Sequence, residues 1–424
     1  MRAEVISIGT ELLIGSITNT NARFISGRLA QNAIDVYHQV TVGDNVGRLV
    51  ETLETAARRA DIVITSGGLG PTEDDVTLES LLKFLNVPSV FHAPTRNHIR
   101  SRLKAAHLRL TPMALRQCQV PKGSLVFKNL NGAAPGLLCR AIRDRNSKWI
   151  LVLPGPPREL EPMFDRAALP ALLSHAKIKR EHFLVRSLKI AGLTETQVAE
   201  RVSLLLKSKP PLTVGIYAKP GLVTLKVMAK SASGRAAASM VAKIEKEIRR
   251  RLGAAVFGVD DETLSSVVGN LLKKNRKTLA VAESCTGGLL GSLITDTPGS
   301  SDYFIGGILA YYNRVKINDL SVDPEILKKH GAVSVQTAKA MALGTMKKLG
   351  SDFGIGITGI AGPDGVSKKK PVGLVYIAVM DKKRTVAKEF VFRGTRQEIK
   401  SRAAHTALNL LRGFLNQPSR FERT

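Results

Sequence analysis

The chain has 424 residues, of which 44% are hydrophobic, 23% charged and 5% aromatic, and its formal net charge is +28 at pH 7. That length exceeds one ordinary core and predicts two or three globular domains, while so few aromatics argue against an aromatic-lined groove for single-stranded nucleic acid. No apolar run is long enough to span a bilayer and no charged-apolar-cleavage pattern opens the chain, so the expectation is a cytoplasmic protein with no membrane partner.

Met1-Arg2-Ala3-Glu4 leads straight into the strand-like Val5–Ile8. Short β-branched runs then alternate with amphipathic stretches, which predicts βα units around a mostly parallel sheet over residues 1–172. Gly9-Thr10-Glu11 follows the first strand, and Asn19-Thr20-Asn21 opens the next helix. Ile62–Thr65 reads as a strand that runs into Ser66-Gly67-Gly68-Leu69-Gly70-Pro71-Thr72-Glu73-Asp74-Asp75-Val76-Thr77. Glycine N–H groups there can approach a phosphate, and a helix starting at the acidic pair also favours anions. Asp74 and Asp75 would repel that phosphate unless a cation stood between them, which points to a hard divalent metal such as Mg²⁺. A plain glycine turn with acidic residues capping a helix gives the same pattern. Thr95–Leu108 has helical spacing, and Trp149–Leu153 is a strand. Asn131–Gly136 and Pro154-Gly155-Pro156-Pro157-Arg158 sit at strand edges or ends. Parallel sheets gather such turns at one edge, the usual ligand crevice.

Residues 173–258 read as a small α+β module. Phe183–Ile190 is strand-like, Thr194–Lys207 is a helix opened by a threonine cap, Val223–Met228 alternates, and Ala236–Leu252 is a long basic helix. With no catalytic cluster, its expected role is a spacer or dimer contact. Lys246–Arg251 and Lys273–Lys277 concentrate basic charge, which either forms a solvated surface or attracts polyanions weakly and without specificity.

Alternation returns in residues 259–416, with strands expected near Thr278–Ala282, Ile305–Ala310, Phe353–Ile357 and Val372–Val379; residues 417–424 read as a frayed tail. The fold class is therefore α/β, with two three-layer α/β domains of mostly parallel sheets joined by the α+β module. Glu283-Ser284-Cys285-Thr286-Gly287-Gly288 lies where a buried strand gives way to a helix. The knot could cradle a phosphate, present a nucleophile or merely turn the chain; as a nucleophile it would need a proton acceptor and oxyanion donors. Ser284 can project its hydroxyl, and the N–H groups of Thr286, Gly287 and Gly288 are expected to be free. Cys285 reads as a packing residue, since no thiolate-stabilising partner is identifiable and adjacent side chains leave a strand in different directions. The three cysteines, Cys118, Cys139 and Cys285, show no paired metal-ligand spacing. No histidine lies near Ser284, so a lysine of lowered pKa is the expected base, with candidates in Ile308–Lys316. Ile357–Gly365 is a second glycine loop, suited to a phosphate through Thr358, Gly359, Ala361 and Gly362. Arg396 offers a counter-charge with Arg393 and Arg402 as rivals, and Ser367–Lys370 reads as a solvated flap.

Gly9-Thr10-Glu11, Ser66–Thr77 and Pro154–Pro157 together resemble the N-terminal domain of the CinA family. That domain is similar to molybdopterin-binding proteins, and its family activity is metal-dependent hydrolysis of the ADP-ribose pyrophosphate bond. Glu283–Gly288 resembles the family's C-terminal domain, a nicotinamide-mononucleotide deamidase, and the correspondence covers essentially the whole chain in order. The resemblance implies Tyr311 and Lys316 as matched catalytic positions beside Ser284, and Arg396 as the matched arginine. It further implies substrate contacts at Gly9, Thr10, Glu11, Asn21, Gly67, Gly68, Gly70, Thr72 and Gly155, and a metal at Asp74 and Asp75. The partners implied are nicotinamide mononucleotide, ADP-ribose and a second copy of the chain, with no cofactor for the deamidase. Two rival classes stand beside it: a nucleic-acid-associated competence or repair factor, and a non-catalytic nucleotide- or molybdopterin-binding protein.

Overall fold

The computed structural model describes residues 1–143, 146–178, 181–365 and 370–416; the expected tail at 417–424 and residues 367–369 of the expected flap lie outside the described residues. The chain divides into two compact units, Met1–Phe183 with Lys230–Ala237, and Leu184–Ala229 with Ala238–Thr424.

The first unit is built on a six-stranded sheet in the order Asp35–Val42, Arg2–Ile8, Ile62–Ser66, Asn146–Leu153, Gly136–Arg143, Leu125–Phe127. The first four strands are mutually parallel and the last two run antiparallel. Along the central strands, alternate residues feed two cores. Val5, Ile62 and Ile64 pack with Ile25 and Leu29 of helix Thr20–Gln31. Ile6, Ile8 and Val63 pack with Leu49 and Leu53 of helix Val46–Arg59 on the other face. A strand buried on both faces reads as a near-continuous apolar run, as Ile62–Ile64 does. Asn19 and Asn45 cap the two helices, each accepting a backbone N–H. The acidic pair does not open a helix as expected: the next one begins at Thr77, so Asp74 and Asp75 belong to the turn before it.

The second unit carries two sheets. One has four strands in the order Leu212–Lys219, Leu222–Ser231, His182–Ala191, Val256–Val259. The helix expected over Thr194–Lys207 is broken into Glu195–Arg201 and Ser203–Leu206, with Thr194 and Gln197 forming a capping box. The other sheet runs Phe304–Leu309, Leu279–Glu283, Phe353–Gly359, Leu374–Met380, Thr385–Val391. Its first three strands are parallel and its last two antiparallel, so it is mixed where a mostly parallel sheet was expected. The reason is the connection: the chain returns from Gly359 to Leu374 with no crossover helix among the described residues, and a parallel neighbour would require one. Val281 packs toward helix Arg396–Leu415 through Ala403 and Leu408, and Ala282 packs with Leu320 and Met341. Both faces are thus covered, and Leu279–Glu283 is wholly buried. Among the described residues no helix is long and apolar enough to cross a membrane.

Candidate active sites

Strand Leu279–Glu283 ends beside Ile357, whose carbonyl accepts the Ser284 N–H at 3.0 Å. The chain then turns sharply into helix Leu289–Thr295. Glu283 makes that turn: its buried carboxylate accepts the N–H groups of Gly288, Leu290 and Gly291 at 3.1, 3.0 and 2.8 Å. Three otherwise orphaned helix donors are satisfied by one negative group.

The turn presents Ser284 to Lys316. Lys316 lies on helix Asn313–Leu320 and is 1% exposed. Its Nζ donates to the carbonyls of Ala310 at 2.7 Å and Tyr311 at 3.1 Å, and stands 3.4 Å from Ser284 Oγ. Burial lowers its pKa from the ordinary lysine value, since the charged form loses water. A neutral amine has two N–H donors and one lone pair. With both donors taken by carbonyls, the lone pair faces the serine hydroxyl.

Cys285 also lines the cavity that opens on Ser284 and Lys316 but packs in a core with Leu290 and Ile294, and burial pushes its thiol up to about 12, so it is held as the unreactive thiol. The expected anion-binding turn needs correction. The Gly287 N–H donates to the Ser284 carbonyl at 3.1 Å and the Gly288 N–H to Glu283, so neither is available. The N–H groups of Cys285 and Thr286 have no acceptor among the described residues and are the donors left for an oxyanion. The Thr286 side chain is itself buried, its hydroxyl without a partner.

A cavity of about 360 Å³ opens on Ser284 and Lys316 and is lined by Tyr311, Thr358, Gly359, Ala361, Gly362 and Arg396, as expected, but not by Gly287, Gly288, Arg393 or Arg402. The Thr358 hydroxyl is spent on the Ala332 carbonyl at 2.6 Å. Tyr311 does not reach the serine: it is 61% exposed and its hydroxyl accepts from Arg396 at 3.1 Å, while Arg396 also donates to the Gly362 carbonyl. Its contributions are the carbonyl that holds Lys316 and the hydroxyl that orients Arg396, which makes it a positioning residue. Sequence reasoning missed Asn313, Asp364 and Lys370, which also line the cavity. Lys370 is no solvated flap residue. Its Nζ donates to the carbonyls of Val333 at 2.8 Å and His330 at 3.3 Å.

In the first unit the strand ends surround a cavity of about 1120 Å³ lined by Gly9, Glu11, Asn21, Gly67, Gly68, Gly70, Asp74, Asp75 and Gly155. Gly67 has φ +113°, and a Cβ there would lie 2.2 Å from the Ile8 carbonyl oxygen, so only glycine fits this approach. The N–H groups of Gly68 and Leu69 have no acceptor among the described residues. Thr10 and Thr72 do not line the cavity. Thr10 is bound through its N–H and hydroxyl to Asp44, both at 2.8 Å, and Thr72 through the same two groups to Asp75. Asp75 also accepts the Gly70 N–H at 2.7 Å. It is therefore the clasp of its own loop and not a free metal ligand, which corrects the expected acidic pair. Asp74 is exposed. Glu11, Asp44 and Glu159 add negative charge to the wall against one lining arginine, Arg102, which is itself bound to the carbonyls of Leu130 and Asn131. No group of three or more His, Cys, Asp or Glu among the described residues could hold a metal. The donor set fits an ion shared between Asp74 and a ligand's phosphates, the way Mg²⁺ is commonly held.

Residues 4–174 match the family described as "Probable molybdopterin binding domain", residues 185–258 the "Damage-inducible protein CinA KH domain", and residues 261–415 the "CinA C-terminal domain". A competence-damage inducible protein of Moorella thermoacetica is 46% identical over 411 residues, covering 97% of this chain and 98% of the relative. A "CinA-like protein" of Kosmotoga olearia is 42% identical, covering 98% and 99%. Among solved structures, the competence/damage inducible protein CihA of Agrobacterium tumefaciens is 37% identical, covers 36% of this chain and 94% of its own, and has a TM-score of 0.36.

Proposed function

Because the chain belongs to the CinA family, we propose that it is a two-centre hydrolase of pyridine-nucleotide salvage. At the Ser284 centre it converts nicotinamide mononucleotide to nicotinate mononucleotide and ammonia. The observation that carries this reading is the buried Lys316 amine, held by two carbonyls 3.4 Å from Ser284 Oγ. Neutral Lys316 takes the hydroxyl proton as Oγ attacks the carboxamide carbon. The N–H groups of Cys285 and Thr286 receive the oxyanion. Lys316 returns the proton to the leaving nitrogen, the C–N bond breaks, ammonia departs, and an ester to Ser284 remains. A water that gives its proton to Lys316 then attacks the ester carbon. Ser284 leaves with that proton and the carboxylate product is released. The balance is one water consumed and one ammonia formed.

At the centre of the first unit, the proposed reaction is hydrolysis of ADP-ribose to AMP and ribose 5-phosphate. The N–H groups of Gly68 and Leu69 would hold phosphate oxygen, Asp75 keeps their loop in shape, and Asp74 would hold a divalent ion. Such an ion, when bound, offsets the charge that builds on the pyrophosphate. The proposed setting is a cytoplasmic homodimer.

The test is a screen of the intact chain with and without EDTA, scoring ammonia from nicotinamide mononucleotide and AMP from ADP-ribose. Ammonia release that ignores EDTA and AMP release that EDTA abolishes are expected. If neither product forms, the reading gives way to a non-catalytic binder or a nucleic-acid-associated factor.

A further inference from the structure

Lys370 shares the cavity of Ser284, Lys316 and Arg396. Two of its three N–H bonds go to the carbonyls of Val333 and His330, so its ammonium is fixed against the wall and does not sweep through solvent. Carbonyls satisfy hydrogen bonds without neutralising charge. No carboxylate among the described residues lies within ion-pair distance of Lys370, although Asp364 lines the same cavity. Arg396 is held in the same manner, by the Gly362 carbonyl and the Tyr311 hydroxyl, and is equally unneutralised. Lys316 belongs to a different category, because its burial favours the neutral form. One small cavity therefore carries two oriented cations with donor capacity to spare and a single lining carboxylate. A neutral ligand would leave that charge unused, whereas a phosphate monoester with close to two negative charges would meet it.

We infer that Lys370, together with Arg396, binds the phosphate of the substrate, and that Lys370 is the residue by which this centre distinguishes a nucleotide from the nucleoside lacking its phosphate. The inference rests on the amidase reading. The carboxamide end of the substrate meets Ser284, and the phosphate end meets the two cations on the loops Ala361–Gly362 and Lys370. Because its two carbonyl partners preorganise the ammonium, little entropy is lost when the phosphate arrives.

The experiment compares ammonia release from nicotinamide mononucleotide and from nicotinamide riboside in the wild-type chain, Lys370→Met and Lys370→Arg. Wild type is expected to prefer the nucleotide. In Lys370→Met, kcat/KM for the nucleotide should fall on the order of tenfold to a hundredfold, chiefly through KM, and for the riboside much less, so that the nucleotide-to-riboside ratio drops. Lys370→Arg should restore part of the preference, and inorganic phosphate should inhibit wild type competitively but Lys370→Met weakly. A purely structural staple between the two loops would lower both substrates equally, and that result overturns the inference. So does an unchanged nucleotide-to-riboside ratio in Lys370→Met. If that variant is unstable, wild type alone decides: no preference for the nucleotide and no inhibition by phosphate also overturn it. Wild type that releases no ammonia from either substrate would instead sink the amidase reading.

Discussion

Lys316 Nζ stands 3.4 Å from Ser284 Oγ, across 32 residues of sequence, with both residues buried. Burial makes the pair chemically useful, because it disfavours the lysine's charge and leaves the serine as the group its lone pair can serve. Lys316 must be neutral to accept a proton, and its pKa lies below the ordinary 10.5. The amidase rate should therefore rise with pH, with its midpoint below the ordinary lysine value of 10.5. The linked effect on stability has the same sign. Between the folded pKa and the ordinary one, the unfolded chain binds the extra proton, so stability rises with pH there and is lost as pH falls through the folded value. Lys316→Arg should abolish ammonia release at every pH, since a guanidinium keeps its proton. A pH–rate profile of both proteins checks this.

Glu283→Ala should destabilise the second unit by about 1–3 kcal/mol, because three helix N–H groups lose their buried acceptor. Ammonia release should fall with it, as the turn that presents Ser284 loosens. Thermal unfolding of the variant beside wild type measures the first effect.

In the first unit, Asp74 and Asp75 should separate by phenotype. Asp74→Asn should raise the Mg²⁺ concentration needed for AMP release while leaving the melting temperature unchanged. Asp75→Ala should lower the melting temperature and lose AMP release at any Mg²⁺ concentration, because the clasp on Gly70 and Thr72 is gone. Metal titrations of both variants, paired with calorimetry, distinguish ligand from clasp.

The net charge of +28 should be incidental. On helix Gly234–Leu252 the run of arginines is already paired, Arg249 with Glu245 and Arg250 and Arg251 with Glu247. Duplex DNA should bind weakly at low salt and dissociate near physiological ionic strength, where screening acts within about 8 Å. Fluorescence anisotropy across a salt series reads this out.

Much of the architecture was legible because central strands of a covered sheet cannot hide. Ile62–Ser66 and Leu279–Glu283 are buried at every position, and each opens on an unbroken apolar run. Thr385–Val391 escaped notice because its apolar residues come in adjacent pairs, Val386-Ala387 and Phe390-Val391, split by Lys388-Glu389, and show no period-two alternation. Ser284 was legible from its residue type at a strand end, whereas Lys316 stood out from other lysines only through the family resemblance. Glu283 and Lys370 were not legible, since their roles exist only in contacts. Glu283 serves N–H groups five to eight residues ahead, and Lys370 docks on carbonyls 37 and 40 residues behind. The glycines of the turn misled for the same reason, as nothing in their identity reveals that their N–H groups are already spent.

The measurement that bears most directly on the whole account is the rate of ammonia release from nicotinamide mononucleotide by Ser284→Ala and by Cys285→Ala. Ser284→Ala should lose on the order of a thousandfold or more, as expected when a covalent nucleophile is removed. Cys285→Ala, which removes a thiol packed in the core and pushed up to about 12, should keep most of its rate at temperatures where it remains folded. An active Ser284→Ala enzyme beside a folded but inactive Cys285→Ala enzyme would contradict the assignment and transfer the chemistry to the cysteine.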